Sequence, residues 1–150
     1  MTAFTIRPTI DPYANRISAA LGASASTDLG ENDIGKPVKL STAENYIICT
    51  AADEIEGFLV ALSDFTVNDG FSFGTVQKDG MFLATVDAAQ ASTLTIGELC
   101  VAGTSAAVGT AETAGYPKVI QGTPANFKWR VVSIVSGTGV AGDVVVIEKI

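Results

Sequence analysis

The chain has 150 residues and a mass of 15.4 kDa, the size of one ordinary domain and short for two with separate cores. Hydrophobic residues make up 47% and charged residues 17%, which excludes a disordered tail and calls for a buried core. A formal charge of −7 opposes binding to a phosphate backbone, and the sequence holds no run of about 18 apolar residues to span a bilayer, so neither nucleic acid nor a membrane is expected as a partner.

With no His, the usual neutral-pH acid–base group and the commonest metal ligand are both missing. Val and Ile number 27 against 10 for Leu and Met, with 16 Thr besides, a bias toward strands over helices.

Residues 1–34 read as an N-terminal arm, broken by Pro8 and Pro12 and rich in Ser, Ala and Gly from Ser18 to Thr27. Asp11 as N-cap and Pro12 at the first helical position offer a short helix over 12–21, with Ile17, Ala20 and Leu21 on one face. Phe4, Ile6, Ile10 and Tyr13 precede any body strand and have no home in its core. With Arg7 and Arg16 they are the candidate contact with a neighbouring molecule, the other reading being a terminus that covers its own domain or hangs loose. The small apolar stretch from Ile17 to Ala25 lacks a basic lead-in, which argues against a cleaved signal peptide.

Residues 35–150 read as a β-barrel-like body of about nine short strands. They are Val38–Leu40, Asn45–Cys49, Glu56–Ser63, Phe71–Lys78, Met81–Val86, Leu99–Ala102, Lys118–Gln121, Lys128–Val135 and Val144–Lys149. In the third, Phe58, Val60 and Leu62 alternate with smaller or polar residues while Leu59 breaks the polar face, so both faces are expected to be covered. Asn68-Asp69-Gly70 and Asp79-Gly80 carry hairpin-turn chemistry. Gly35-Lys36, Gly97-Glu98 and Gly142-Asp143 each place Gly and a charge before an apolar run, a weak internal recurrence. Gly103 to Gly115 has no periodicity and reads as a mobile loop or weak edge. So many short strands need their edges hidden, which favours an all-β barrel, tulip or sandwich.

Motifs for chemistry do not survive their context. Gly137-Thr138-Gly139-Val140-Ala141-Gly142 matches a dinucleotide fingerprint, but a strand-forming Val-rich run follows it where a helix is required, so it reads as a hairpin loop. The acids Asp53, Glu54, Glu56, Asp64 and Asp69 fit neither a calcium loop nor a paired-carboxylate signature. Cys49 and Cys100 lie in apolar runs and read as buried free thiols. Trp129 is weighed between a core plug and an interface anchor. No catalytic, cofactor-binding or metal-binding residue is expected, and the chain is not expected to be an enzyme.

Read in order, Ile34-Gly35-Lys36-Pro37-Val38-Lys39-Leu40, Asp53-Glu54-Ile55-Glu56-Gly57-Phe58-Leu59-Val60, Val76-Gln77-Lys78-Asp79-Gly80, Gly97-Glu98-Leu99-Cys100-Val101 and the closing Gly142-Asp143-Val144 resemble the small head-decoration, or capsid cement, proteins of tailed bacteriophages. The resemblance implies a barrel- or tulip-like body on the outer surface of a mature virion head, stabilising it by clamping adjacent major capsid subunits. It also implies homotrimers at local threefold positions, with the major capsid protein and neighbouring copies as partners and no catalytic residues to carry over. Residues 1–34 exceed what compact members need and suggest an arm reaching over neighbouring subunits. The rival reading is a non-catalytic ligand- or glycan-binding β-module of a phage fibre or cell surface, with Tyr116 and Trp129 as its loop-end aromatics.

Overall fold

A computed structural model describes residues 16–21, 33–62, 72–104 and 116–150. Among these the secondary structure is ten strands and no α-helix: β1 (Arg16–Leu21), β2 (Pro37–Leu40), β3 (Tyr46–Ile48), β4 (Gly57–Leu62), β5 (Ser72–Gln77), β6 (Met81–Val86), β7 (Leu99–Ala102), β8 (Lys118–Gln121), β9 (Trp129–Ile134) and β10 (Val144–Lys149). The all-β body expected from composition is the body observed, and all nine expected strands are present.

The strands close into two five-stranded barrels, with neighbours in the order β1-β3-β2-β4-β5 and β10-β6-β8-β7-β9. Closure gives every strand a neighbour on both sides, though the β1–β3 seam pairs only Leu21 with Tyr46, and this limits the edge that such short strands would otherwise present. The body is thus divided where a single barrel was expected. Asp79-Gly80 accordingly does not close a hairpin: Gly80 has φ 91°, but β5 pairs with β1 and β4 while β6 pairs with β8 and β10, so this turn hands the chain from one barrel to the next.

The front of the chain also departs from expectation. Where a helix over 12–21 was expected, residues 16–21 form β1, which pairs with β5 through six residue partners from Arg16↔Gln77 to Leu21↔Ser72. A helix would satisfy its backbone locally, but pairing with β5 and β3 satisfies it while closing the first barrel, and that tertiary gain overrides a capping signal. The arm therefore donates a strand to the body. Residues 12–15, Asn68-Asp69-Gly70 and 105–115 lie outside the described residues.

The two barrels are copies of one design. Replacing β1 to β5 by β6 to β10 in order converts the first neighbour list into the second, including the parallel pairs β1–β3 and β6–β8. The correspondence holds residue by residue. Pro37↔Phe58 and Val38↔Gly57 in the first barrel match Leu99↔Arg130 and Cys100↔Trp129 in the second. A bulge skips Val60 in β4 and Val132 in β9. The Gly35 N–H donates to the Leu59 carbonyl at 2.7 Å, as Gly97 donates to Val131 at 2.7 Å; Leu59 and Val131 in turn donate to Lys36 and Glu98 at 3.1 and 2.9 Å. Two of the three Gly-plus-charge recurrences thus mark one turn in each barrel, while Gly142-Asp143 precedes β10.

Two apolar clusters fill the body. The smaller lies within the first barrel and holds Leu21, Val38, Tyr46, Ile48, Leu59 and Val76. The larger is that of the second barrel, with Phe82, Trp129, Val131, Val145 and Ile147, and it also takes in Cys49, Ile55 and Phe58 from the first half. Strand β4 makes this sharing possible: Leu59 faces its own barrel and Phe58 faces the next, so both faces are covered. Gly57 opens β4 because a Cβ there would lie 2.6 Å from the Gln77 carbonyl oxygen.

Candidate functional site

The boundary between the barrels gathers most of the chemistry-bearing side chains. Trp129 at the start of β9 is 0% exposed; its indole N–H donates to the Ile55 carbonyl at 3.0 Å, and its ring meets Phe58 and Phe82 edge-on at 5.0 and 5.6 Å between centroids. Its burial decides between core and interface: Trp129 is core and leaves the set of contact residues. A single large aromatic fills this space because its polar tip finds a carbonyl partner there.

Of the acids weighed for catalysis, Asp53, Glu54 and Glu56 make hydrogen bonds within the body, and Asp64 and Asp69 lie outside the described residues. Glu54 accepts hydrogen bonds from the backbone N–H groups of Ala125, Asn126 and Phe127 at 2.5, 3.1 and 3.2 Å, tying the β3–β4 loop to the β8–β9 loop. The Ala125 N–H foremost, with the other two, holds the Glu54 carboxyl below the usual carboxylate range. Glu56 is buried and accepts from the Tyr46 hydroxyl at 2.9 Å, the Lys78 ammonium at 3.0 Å and the Leu40 N–H at 3.0 Å. Burial alone would raise the Glu56 carboxyl, but these donors, led by Lys78, outweigh it and hold it low. Glu56 holds Lys78 above the ordinary lysine value in return, while burial first and Glu56 next push the Tyr46 phenol up. Asp53 pairs with Lys39 at 2.6 Å and accepts from Thr50, which overcome its partial burial and lower its carboxyl.

Lys149 behaves differently. Its ammonium lies 4.7 Å from the Phe127 ring centroid and 5.4 Å from that of Trp129, a cation–π placement at the edge of the same boundary. Burial and then neighbouring Lys78 depress it below the ordinary lysine value.

Cys49 and Cys100 are buried free thiols, as expected. Burial pushes both up to about 12, so neither is a nucleophile at neutral pH. Among the described residues no group of three His, Cys, Asp or Glu side chains is placed to hold a metal ion, and no helix is long and apolar enough to cross a membrane.

The Gly-rich run 137–142 is the β9–β10 loop, as expected. Asp143 accepts the Thr138, Gly139 and Val140 N–H groups at 2.8, 2.9 and 3.0 Å, and these donors, Thr138 first, hold its carboxyl low. That nest presents Val140 to solvent, beside the segment leading into β7, where Leu94 donates to Gly139 at 2.8 Å. Ile96 on that segment is 63% exposed, and Leu40, Val135 and Ile150 are also exposed. Burying such side chains against another protein is favourable by about 25 cal/mol per Å². Sequence reasoning missed Ile96 and Val140 as exposed apolar positions, since both lie in turns whose exposure the sequence pattern does not set.

Of the expected contact residues, Arg16 begins β1 opposite Gln77, and Phe4, Ile6, Arg7, Ile10 and Tyr13 lie outside the described residues. Tyr116 is half-buried. Comparison with family models, curated proteins and solved structures finds no match for the chain.

Proposed function

We propose that this chain is a structural decoration protein of a phage head, bound to the outer surface of the capsid, where it clamps adjacent major capsid subunits. The observation that supports this reading is the division of labour in the described body: buried and half-buried carboxylates are spent on internal fastening, while apolar side chains such as Ile96, Val135 and Val140 face outward on a pinned loop and turn. Exposed apolar groups on rigid supports suit noncovalent association at little ordering cost. The ordered motifs that resemble capsid cement proteins point the same way. Copies group as trimers at local threefold positions, and a standard contact of about 1,600 Å² per copy, repeated over a shell, adds up to strong stabilisation.

The N-terminal contact belongs to residues 1–15, since removal of 1–27 would also delete β1 and open the first barrel. Phe4, Ile6, Arg7, Ile10 and Tyr13 are its contact residues. The test is co-sedimentation with shells of the major capsid protein from the same genome, before and after expansion, using the full chain and a chain lacking 1–15. Threefold-positioned density on expanded shells is expected, lost or much weakened in the shortened chain. Failure of the full chain to bind either shell, with binding to glycans instead, would overturn the reading in favour of a glycan-binding module; burial of Trp129 has already taken one of that module's two aromatics out of reach.

A further inference from the structure

Five large apolar side chains of the described body are exposed, and three of them, Ile96, Val135 and Val140, belong to one end of the second barrel. Val135 follows β9 and is tied to the start of β10, its N–H donating to the Val144 carbonyl at 2.8 Å, and Val140 lies in the loop between those strands. Ile96 stands on the segment before β7. That segment is joined to the loop by the Leu94 N–H, 2.8 Å from the Gly139 carbonyl, and to β9 by the Gly97 N–H, 2.7 Å from the Val131 carbonyl. Neither stretch is charged: residues 91–97 and 133–142 hold no Lys, Arg, Asp or Glu, in a chain of formal charge −7. An uncharged end studded with apolar side chains on rigid supports suits cover by an apolar segment.

The chain carries such a segment. Residues 1–10 hold Phe4, Ile6 and Ile10 and a single charged side chain, Arg7. They lead to β1 at Arg16, which pairs with Gln77 beside the turn that joins the barrels. Lys149 at the end of β10 reaches that turn as well, its N–H donating to the Gly80 carbonyl at 3.2 Å. The uncharged end therefore lies one length of β10 from where the segment enters the body, about 20 Å for a strand of this size. Ile10, Ile6 and Phe4 stand six, ten and twelve residues before Arg16, so extended chain carries them about 20, 33 and 40 Å out. The reach matches the distance. A segment of the same chain is also present at an effective concentration on the order of mM, which a second copy in dilute solution does not approach.

We propose that residues 4–10 fold back as a strap over this end of the second barrel, with Phe4, Ile6 and Ile10 covering Ile96, Val135 and Val140. The occupant is the chain's own segment, so the strap goes beyond the decoration reading and does not depend on it. It keeps free copies from associating through their apolar ends, and it withholds the same residues from any partner until the strap lifts.

The test is chymotrypsin cleavage after Phe4 in the native, full chain, followed by mass. Cleavage there tracks the population in which the strap has lifted. Ile96→Asp, which puts a charge under the strap, is expected to speed it about tenfold or more while leaving cleavage after Tyr13 and the unfolding midpoint of the body unchanged. A milder second variant, Ile96→Ser with Val140→Ser, should move the rate in the same direction. Equal rates after Phe4 in the wild type and both variants would overturn the strap. Protection of the wild type is expected to be the same from about 1 to about 100 μM protein. Protection that is lost on dilution would also overturn the strap and would make the occupant a second copy.

Discussion

Phe58 belongs by sequence to the first barrel and by packing to the second, so its removal tests whether the two barrels fold as one unit. It is fully buried, with ring centroids 4.3 Å from Phe82 and 5.0 Å from Trp129. Truncating a buried Phe to Ala costs about 3–5 kcal/mol, combining lost transfer energy with the cavity left behind. For a chain of this length each kcal/mol lowers the midpoint by about 2–4 °C, so Phe58→Ala is expected to lose roughly 6–20 °C. The assay is urea and thermal unfolding followed by Trp129 fluorescence, which reports the second barrel, and by far-UV circular dichroism, which reports both. The two probes should coincide in the wild type and shift together in the variant. A fluorescence transition that stays at the wild-type midpoint while the dichroism moves, or a total loss below about 1 kcal/mol, would refute the shared core.

Acid should weaken the fold in a defined window. The carboxyls of Asp53, Glu54, Glu56, Asp87 and Asp143 are all lowered in the folded chain, so their stabilisation is fully present above the unfolded values of 3.8 for Asp and 4.5 for Glu and is lost as pH falls through the folded values. Urea midpoints should be flat from pH 7 to about 5.5 and fall steeply below about 4.5; an unchanged midpoint at about pH 3 would contradict this. The thiols give a second readout. With Cys49 and Cys100 buried and pushed up to about 12, labelling by a disulfide reagent at pH 8 should be negligible in buffer and complete in denaturant, and rapid native labelling would contradict their placement.

Much of this fold was legible because strands announce themselves locally. Val-, Ile- and Thr-rich runs bounded by Gly or Asp placed nine of the ten strands within about a residue of their ends, and the apolar contexts of Cys49 and Cys100 placed both thiols inside. What failed was nonlocal. Asp11-Pro12 carries helix-start chemistry, yet residues 16–21 are claimed by β5, which lies more than fifty residues away. Asp79-Gly80 has the residues of a hairpin, but turn chemistry fixes only the local bend, and the strands on either side find partners in different barrels. The duplication was hidden for a related reason: most side chains diverged while hydrogen-bond registers did not, and the identities that remain, such as Ile34-Gly35 with Ile96-Gly97 and Val60 with Val132, are too scattered to read as a repeat.

The divergence between the copies also makes the joint between the two barrels one-sided. The shared core depends on Phe58 entering the second barrel beside Trp129. Their counterparts cannot repeat that contact. Arg130, which stands where Phe58 does, is exposed and held by Glu148 through its Nε at 2.8 Å, and Gly57, which stands where Trp129 does, has no room for even a Cβ. A second barrel that also presented a Phe at this position would offer the plug to the next chain, and a contact that never closes generates open fibres. Charge on one copy and a missing side chain on the other confine the plug-and-socket joint to the inside of the molecule.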